Sequence, residues 1–203
     1  MKRLTLEDRL EIDGALAAGA VIGLPTDTVY GLACRLDRPE AIAEIFRLKD
    51  RPGDVALPIL CDSIETARGL GTRFSREAIA LATAFWPGPL TLVVGCSVAL
   101  SSLVGAADES VGLRVPNDEG LLALLDLTGP LAVTSANLHG EPPCATADEV
   151  EVTFEGRGLG LVVDGGARQN FSSTVVSLVG PSLEIKRIGP ISPTQIEAVL
   201  SRD

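Results

Sequence analysis

Hydrophobic positions along this chain recur in short runs, separated by amphipathic stretches and turn-forming residues. Thr5 is placed to cap a first helix, with Glu7 and Asp8 in its opening turn. Leu6, Leu10 and Ala17 form its expected buried side, and Gly19 ends it. Residues 20–24 read as a strand closed by Pro25. Residues 39–48 carry Ile42, Ile45, Phe46 and Leu48 at helical spacing, with Pro39 in the first turn. Residues 57–61 predict a strand, and 63–70 and 75–85 predict helices; Trp86-Pro87-Gly88-Pro89 stops the second. Strands are expected at 90–94, 111–115, 131–134, 161–163, 174–178 and 183–186, with a helix over 119–125. Thr146 caps another helix, and the capping box Ser192-Pro193-Thr194-Gln195 opens a last one reaching about Leu200. The alternation predicts an α/β fold. Its last three strands follow one another too closely for helical crossovers, so the sheet is expected to be mixed. No repeat, low-complexity tract or linker interrupts the pattern, and residues 1–203 read as a single domain.

Composition narrows the picture. Hydrophobic residues make up 46% of the 203 positions and aromatics only 3%, so aliphatic side chains must do the packing, as in α/β domains with buried strands. Seventeen basic residues against 27 acidic ones leave a net charge of −10, a field that repels nucleic acid and anionic membrane. A basic cluster is therefore more informative here than it would be in a basic protein. Cys34, Cys61, Cys96 and Cys144 are far apart and contain no C-x-x-C pair, which argues for reduced, buried thiols in the cytoplasm. Early acids argue against a signal peptide, and no apolar run reaches the ~18 residues of a membrane span.

Several chemistries lack their signatures. There is no G-x-x-x-x-G-K-[ST], no G-x-G-x-x-G after a strand and no G-x-S-x-G. The single histidine, His139, stands in a loop-like context between Asn137 and Gly140, and no metal-ligand spacing is present. An enzyme built from this inventory would work by holding reactants together and offsetting negative charge.

Four polar segments could supply such a site. Pro25-Thr26-Asp27-Thr28-Val29-Tyr30-Gly31 ends a strand; extended, it would set Thr26 and Thr28 on one side, and it is equally a capped turn. In Lys49-Asp50-Arg51-Pro52, the proline favours an extended Arg51, which would aim Lys49 and Arg51 the same way as phosphate ligands; the other reading is a solvated helix end. Arg114, inside the apolar Ser110–Pro116 segment, needs either an acidic partner or an anionic ligand. Leu131–Asn137 is an apolar strand ending in Thr134, Ser135 and Asn137, and strand ends are where open α/β sheets place ligands.

Taken in order, P-T-D-T-V-Y-G-L, K-D-R-P, W-P-G-P-L-T, V-G-L-R-V-P and T-S-A-N, followed by S-S-T-V-V and Arg187-Ile188-Gly189, resemble the YrdC-like family of threonylcarbamoyl-adenylate synthases over about residues 14–190. The resemblance implies a twisted mixed sheet flanked by helices around a large concave cavity. It also implies formation of threonylcarbamoyl-AMP and pyrophosphate from L-threonine, bicarbonate and ATP, with Mg2+ accompanying the ATP and no protein-held metal. By similarity Thr28, Arg114, Ser135 and Ser173 face threonine, while Lys49, Arg51, Ser110, Asn137 and Arg187 face ATP, with Lys49 and Arg51 in the catalytic role. The product would pass to a tRNA threonylcarbamoyl-transferase complex, with at most weak tRNA contact and no membrane. The chain departs from the family pattern at Val55, Ala56, Leu60 and Ala145, and it is of the short form. Those departures motivate a second reading, a paralogue that binds RNA or a nucleotide without turnover. A third reading is a carbamoyl-adenylate enzyme that uses carbamoyl phosphate.

Overall fold

The computed structural model describes residues 1–50, 56–169 and 171–201. In chain order the elements are β1 (Lys2–Thr5), α1 (Arg9–Ala17), β2 (Ile22–Pro25), β3 (Tyr30–Arg35), α2 (Pro39–Leu48), β4 (Ile59–Leu60), α3 (Ile64–Gly69) and α4 (Arg76–Phe85). They continue with β5 (Leu90–Gly95), α5 (Val98–Leu103), β6 (Ser110–Arg114), α6 (Glu119–Thr128), β7 (Leu131–Ser135) and α7 (Ala147–Thr153). The last are β8 (Leu161–Asp164), β9 (Thr174–Ser177), β10 (Glu184–Arg187) and α8 (Pro193–Leu200). Among the described residues the ten strands join one sheet in the order β1-β8-β2-β3-β7-β4-β6-β5-β9-β10.

The sheet is mixed, as the spacing of the late strands predicts. β1–β8, β8–β2, β4–β6 and β5–β9 run parallel, whereas β2–β3, β3–β7, β7–β4, β5–β6 and β9–β10 are antiparallel. Alternate residues feed two apolar layers, one on each face. Leu131 and Val133 pack with Ile12, Leu16 and Leu121 from α1 and α6, while Ala132 joins Ile42, Ile45, Leu81 and Leu113 on the other side.

Local chemistry accounts for most helix starts. The side chains of Ser63, Ser75, Asp118 and Thr146 each accept from a backbone N–H in the first turn of α3, α4, α6 and α7. Ser192 and Gln195 form a reciprocal capping box at α8.

Four points differ from the sequence reading. Thr5 does not cap α1: it ends edge strand β1, and Asp8 stands at the cap position. Leu10 is 81% exposed, and the buried side of α1 is Ile12 and Leu16. β3, for which the sequence predicts no element beyond a turn ending at Gly31, is a strand buried along nearly its whole length and paired on both sides. α5, a six-residue helix capped by Ser97, falls in a stretch with no helical periodicity to announce it.

Candidate functional site

The β2–β3 turn builds the first wall. The Thr26 hydroxyl accepts from the backbone N–H groups of Thr28 (3.2 Å) and Val29 (3.3 Å) and donates to the Val29 carbonyl (2.7 Å). The Thr28 hydroxyl lies 3.0 Å from that of Thr26, and both threonines are buried. Both sequence readings hold: the segment is a side-chain-closed turn, and it faces a cavity. At Gly31 a Cβ would come within 2.7 Å of Val133 Cγ1 and 2.9 Å of the Thr134 carbonyl oxygen, so β3 can lie this close to β7 only with glycine there.

The cavity, about 470 Å3, lies across the middle of the sheet. Thr28, Ser110, Arg114, Ser135, Ser173 and Arg187, all singled out from the sequence, line it together with Thr91, Thr134, Tyr30 and a set of valines. No aspartate or glutamate is among the described lining residues, and two guanidiniums, those of Arg114 and Arg187, are. Leu60 and Ala56, two of the departures from the family pattern, also line it. His139 is not among the described lining residues; its backbone N–H donates to the Lys49 carbonyl.

Arg114 has the acidic partner that its burial called for, and it also lines the cavity. Its Nη2 donates to Asp27 Oδ1 at 2.6 Å, Nη1 to the Thr28 hydroxyl at 3.1 Å and Nε to the Gly88 carbonyl at 3.0 Å. Burial pulls this guanidinium below its usual range, and the Asp27 carboxylate opposes that pull. Asp27 stood in the P-T-D-T motif without a role. Its acidity and its position one residue before Thr28 were the available signals. The W-P-G-P turn gains a purpose in the same way, since it presents the Gly88 carbonyl to Arg114.

Arg187 arrives from edge strand β10. Its Nε donates to the Ser173 carbonyl (2.9 Å) and its Nη2 to the Ser173 hydroxyl (3.1 Å). Burial and the neighbouring charge of Arg114 both lower its pKa. A register shift between Ile185 and Arg187 sets Arg187 opposite Val175, itself a cavity residue, so the bulge turns the guanidinium inward. Among the described residues no carboxylate pairs with it.

Lys49 and Asn137 lie just behind the cavity wall. Lys49 is buried at the end of α2, and its Nζ donates to the carbonyls of Ser135 and Asn137 and to Asn137 Oδ1. Ser135 Oγ donates to the same Asn137 Oδ1, while Asn137 Nδ2 donates to the carbonyls of Leu138 and Glu141. The expected extended Lys49-Asp50-Arg51 run does not form at its start. Lys49 is helical and Asp50 has a φ of 49°, so the chain turns here, because the end of α2 governs this backbone rather than the proline three residues on. Arg51 and Val55 lie outside the described residues. Ser110 donates to Asp108 Oδ1 at 2.5 Å.

Comparison with known proteins bears on the family and the fold. The Sua5/YciO/YrdC family model, described as telomere recombination, matches residues 14–189. A provisionally assigned threonylcarbamoyl-AMP synthase of Mycobacterium tuberculosis is 36% identical over 94% of this chain and 88% of its own. The threonylcarbamoyl-AMP synthase of Bacillus subtilis is 36% identical over 91% of this chain, which spans about half (54%) of that relative. The crystal structure of Pyrococcus abyssi Sua5 complexed with L-threonine superposes with a TM-score of 0.90 at 32% identity, covering 98% of this chain and 60% of that one. The family model and these relatives cover nearly the whole chain, and the chain belongs to the Sua5/YciO/YrdC family.

Proposed function

We propose that the protein is a threonylcarbamoyl-AMP synthase, a nucleotidyltransferase acting in the pathway to threonylcarbamoyladenosine in tRNA. The observation that carries this reading is a cavity lined by Arg114, Arg187 and several hydroxyls, with no lining carboxylate among the described residues. Such a surface suits two anions brought together. L-Threonine and bicarbonate give threonine carbamate and water. The carbamate oxygen then attacks the α-phosphorus of ATP, forming the P–O bond of threonylcarbamoyl-AMP as the bond to pyrophosphate breaks. Positioning and charge compensation carry most of that barrier.

In this reading Thr28, Arg114, Ser135 and Ser173 receive the threonine moiety, while Lys49, Arg51, Ser110, Asn137 and Arg187 receive ATP. Asp27 leaves Arg114 nearly neutral as a pair, so the uncompensated charge resides at Arg187, on the phosphate side. Lys49 also holds together the turn that carries Ser135 and Asn137. Among the described residues no group of three His, Cys, Asp or Glu could hold a metal, and the nearby acids Asp27 and Asp108 are bonded to Arg114 and Ser110. These residues suit Mg2+ entering as part of the Mg-ATP substrate. No helix among the described residues is long and apolar enough to cross a membrane. Four buried free thiols support a cytoplasmic setting, where the product would be handed to a tRNA-modifying transferase complex.

The test is pyrophosphate release with ATP, L-threonine and labelled bicarbonate. Release should require all three, and threonine-independent release or none from folded protein would refute the assignment. Arg51→Ala should abolish most turnover with an unchanged melting temperature. The paralogue reading, favoured by Leu60 in the cavity wall, predicts instead a tRNA gel shift at near-physiological salt without turnover.

A further inference from the structure

The hydroxyls of Thr91 and Ser173 meet at 2.8 Å on the cavity wall, and both residues are buried while lining the cavity. Thr91 comes from the L-T end of the W-P-G-P-L-T segment on β5, and Ser173 immediately precedes β9, the parallel neighbour of β5. A proton count separates this pair from an ordinary buried contact. Two hydroxyls carry two protons. One proton is consumed in the mutual bond, whichever oxygen donates. The other finds no acceptor among the described residues, because the remaining partner of Ser173 Oγ, Arg187 Nη2 at 3.1 Å, is itself a donor. The second proton therefore needs an acceptor supplied from the cavity.

Either hydroxyl can donate in the mutual bond, so its direction is set by what surrounds it. Arg187 donates to Ser173 Oγ, which enriches that oxygen as a donor of its own proton. If Thr91 also donates to Ser173, the serine has two bonds coming in and only its proton to offer, and that proton points toward ligand. Beside it stands the guanidinium of Arg187, fixed through its Nε on the Ser173 carbonyl and without a carboxylate partner among the described residues. A directed O–H next to an uncompensated cation is an oxyanion subsite.

We propose that Thr91 is a positioning residue of this site: by donating to Ser173 Oγ it leaves the serine proton for a ligand oxyanion held against Arg187. Ser173 was placed on the amino-acid side and Arg187 on the nucleotide side, so the subsite they share with Thr91 lies where the two halves of the reaction meet. The chemical class it takes is a carboxylate, carbamate or phosphoryl oxygen. The assignment of the two sides rests on the synthase reading; the hydroxyl geometry does not.

The experiment compares wild type with Thr91→Val, Thr91→Ser, Ser173→Ala and Thr91→Val/Ser173→Ala. Affinities for L-threonine and for pyrophosphate are measured by calorimetry, turnover by pyrophosphate release, and folding by thermal melts. Thr91→Val, isosteric but without the hydroxyl, should weaken binding of at least one probe tenfold or more and lower kcat/KM at least as much. Thr91→Ser should stay within about threefold of wild type. Because Thr91 acts through Ser173, the double variant should be no worse than Ser173→Ala alone. Wild-type behaviour of Thr91→Val, failure of serine to rescue, or losses that add in full would each overturn the proposal, as would a wild type that binds neither probe. Wild type that binds both probes but forms no product would refute the synthase assignment, and the binding comparison would still decide the role of Thr91.

Discussion

Arg114 concentrates the residue-scale problem, since a guanidinium 6% exposed inside a sheet is tolerable only with its charge paired and its nitrogens hydrogen-bonded. Asp27, Thr28 and the Gly88 carbonyl each take one donor from a different one of its three nitrogens. Removing the acid strands the charge, so Asp27→Ala should cost about 3–5 kcal/mol of stability, the range for breaking one side of a buried pair. Asp27→Asn keeps an acceptor oxygen and should cost less. Urea denaturation of the two variants tests the ordering; equal loss in both would mean that charge compensation alone, not the hydrogen bond, is what Asp27 supplies. The sequence showed that Arg114 needed a partner, but it could not say which, because Asp27 is 87 positions away. Only the pairing of β3, β7, β4 and β6 brings the turn at Asp27 to the end of β6.

Helices and strands differ in how openly they declare themselves. α2, α4 and α8 were legible because periodicity, proline and capping residues agree locally. β3 was not, because Tyr30-Gly31-Leu32-Ala33-Cys34 is buried on both faces and so lacks the alternation that marks a strand. Its glycine marks close approach rather than a turn. Gly31→Ala should therefore destabilise the fold by about 1–3 kcal/mol, the usual cost of overpacking, since its methyl would strike Val133 and the Thr134 carbonyl. Gly14 is the opposite case. It lies inside α1 with nothing within 4 Å of an added Cβ, and Gly14→Ala should stabilise by about 0.5–1 kcal/mol. Thermal melts of the two alanine variants should move in opposite directions; a stabilised Gly31→Ala would contradict the close approach of β3 and β7.

At the scale of the whole molecule, the four cysteines report on how completely the sheet is covered. All are buried, and burial pushes the thiols of Cys34 and Cys61 up to about 12. In the unfolded chain a thiol ionises near 8.5. Above that pH the unfolded state loses protons that the folded state retains, so unfolding becomes easier as pH rises. Their contribution is complete below about pH 8.5 and is lost progressively toward about 12. Urea midpoints should fall between pH 8 and pH 10.5, less steeply in Cys34→Ala/Cys61→Ala. Native protein at pH 8 should resist a thiol reagent that modifies all four cysteines in denaturant.

Much of this protein was determined by its sequence alone: the α/β alternation, the mixed sheet, most helix caps and the motifs that mark the family. Those features depend on contacts within a few residues, or on spacing that survives without a fold. The tertiary structure decided what depends on distant neighbours. It paired Asp27 with Arg114, turned β10 by one residue so that Arg187 faces inward, placed Lys49 behind Ser135 and Asn137, and brought Thr91 against Ser173. Each is a contact between segments that meet only through strand order, and strand order is set by burial of the whole sheet rather than by any one segment.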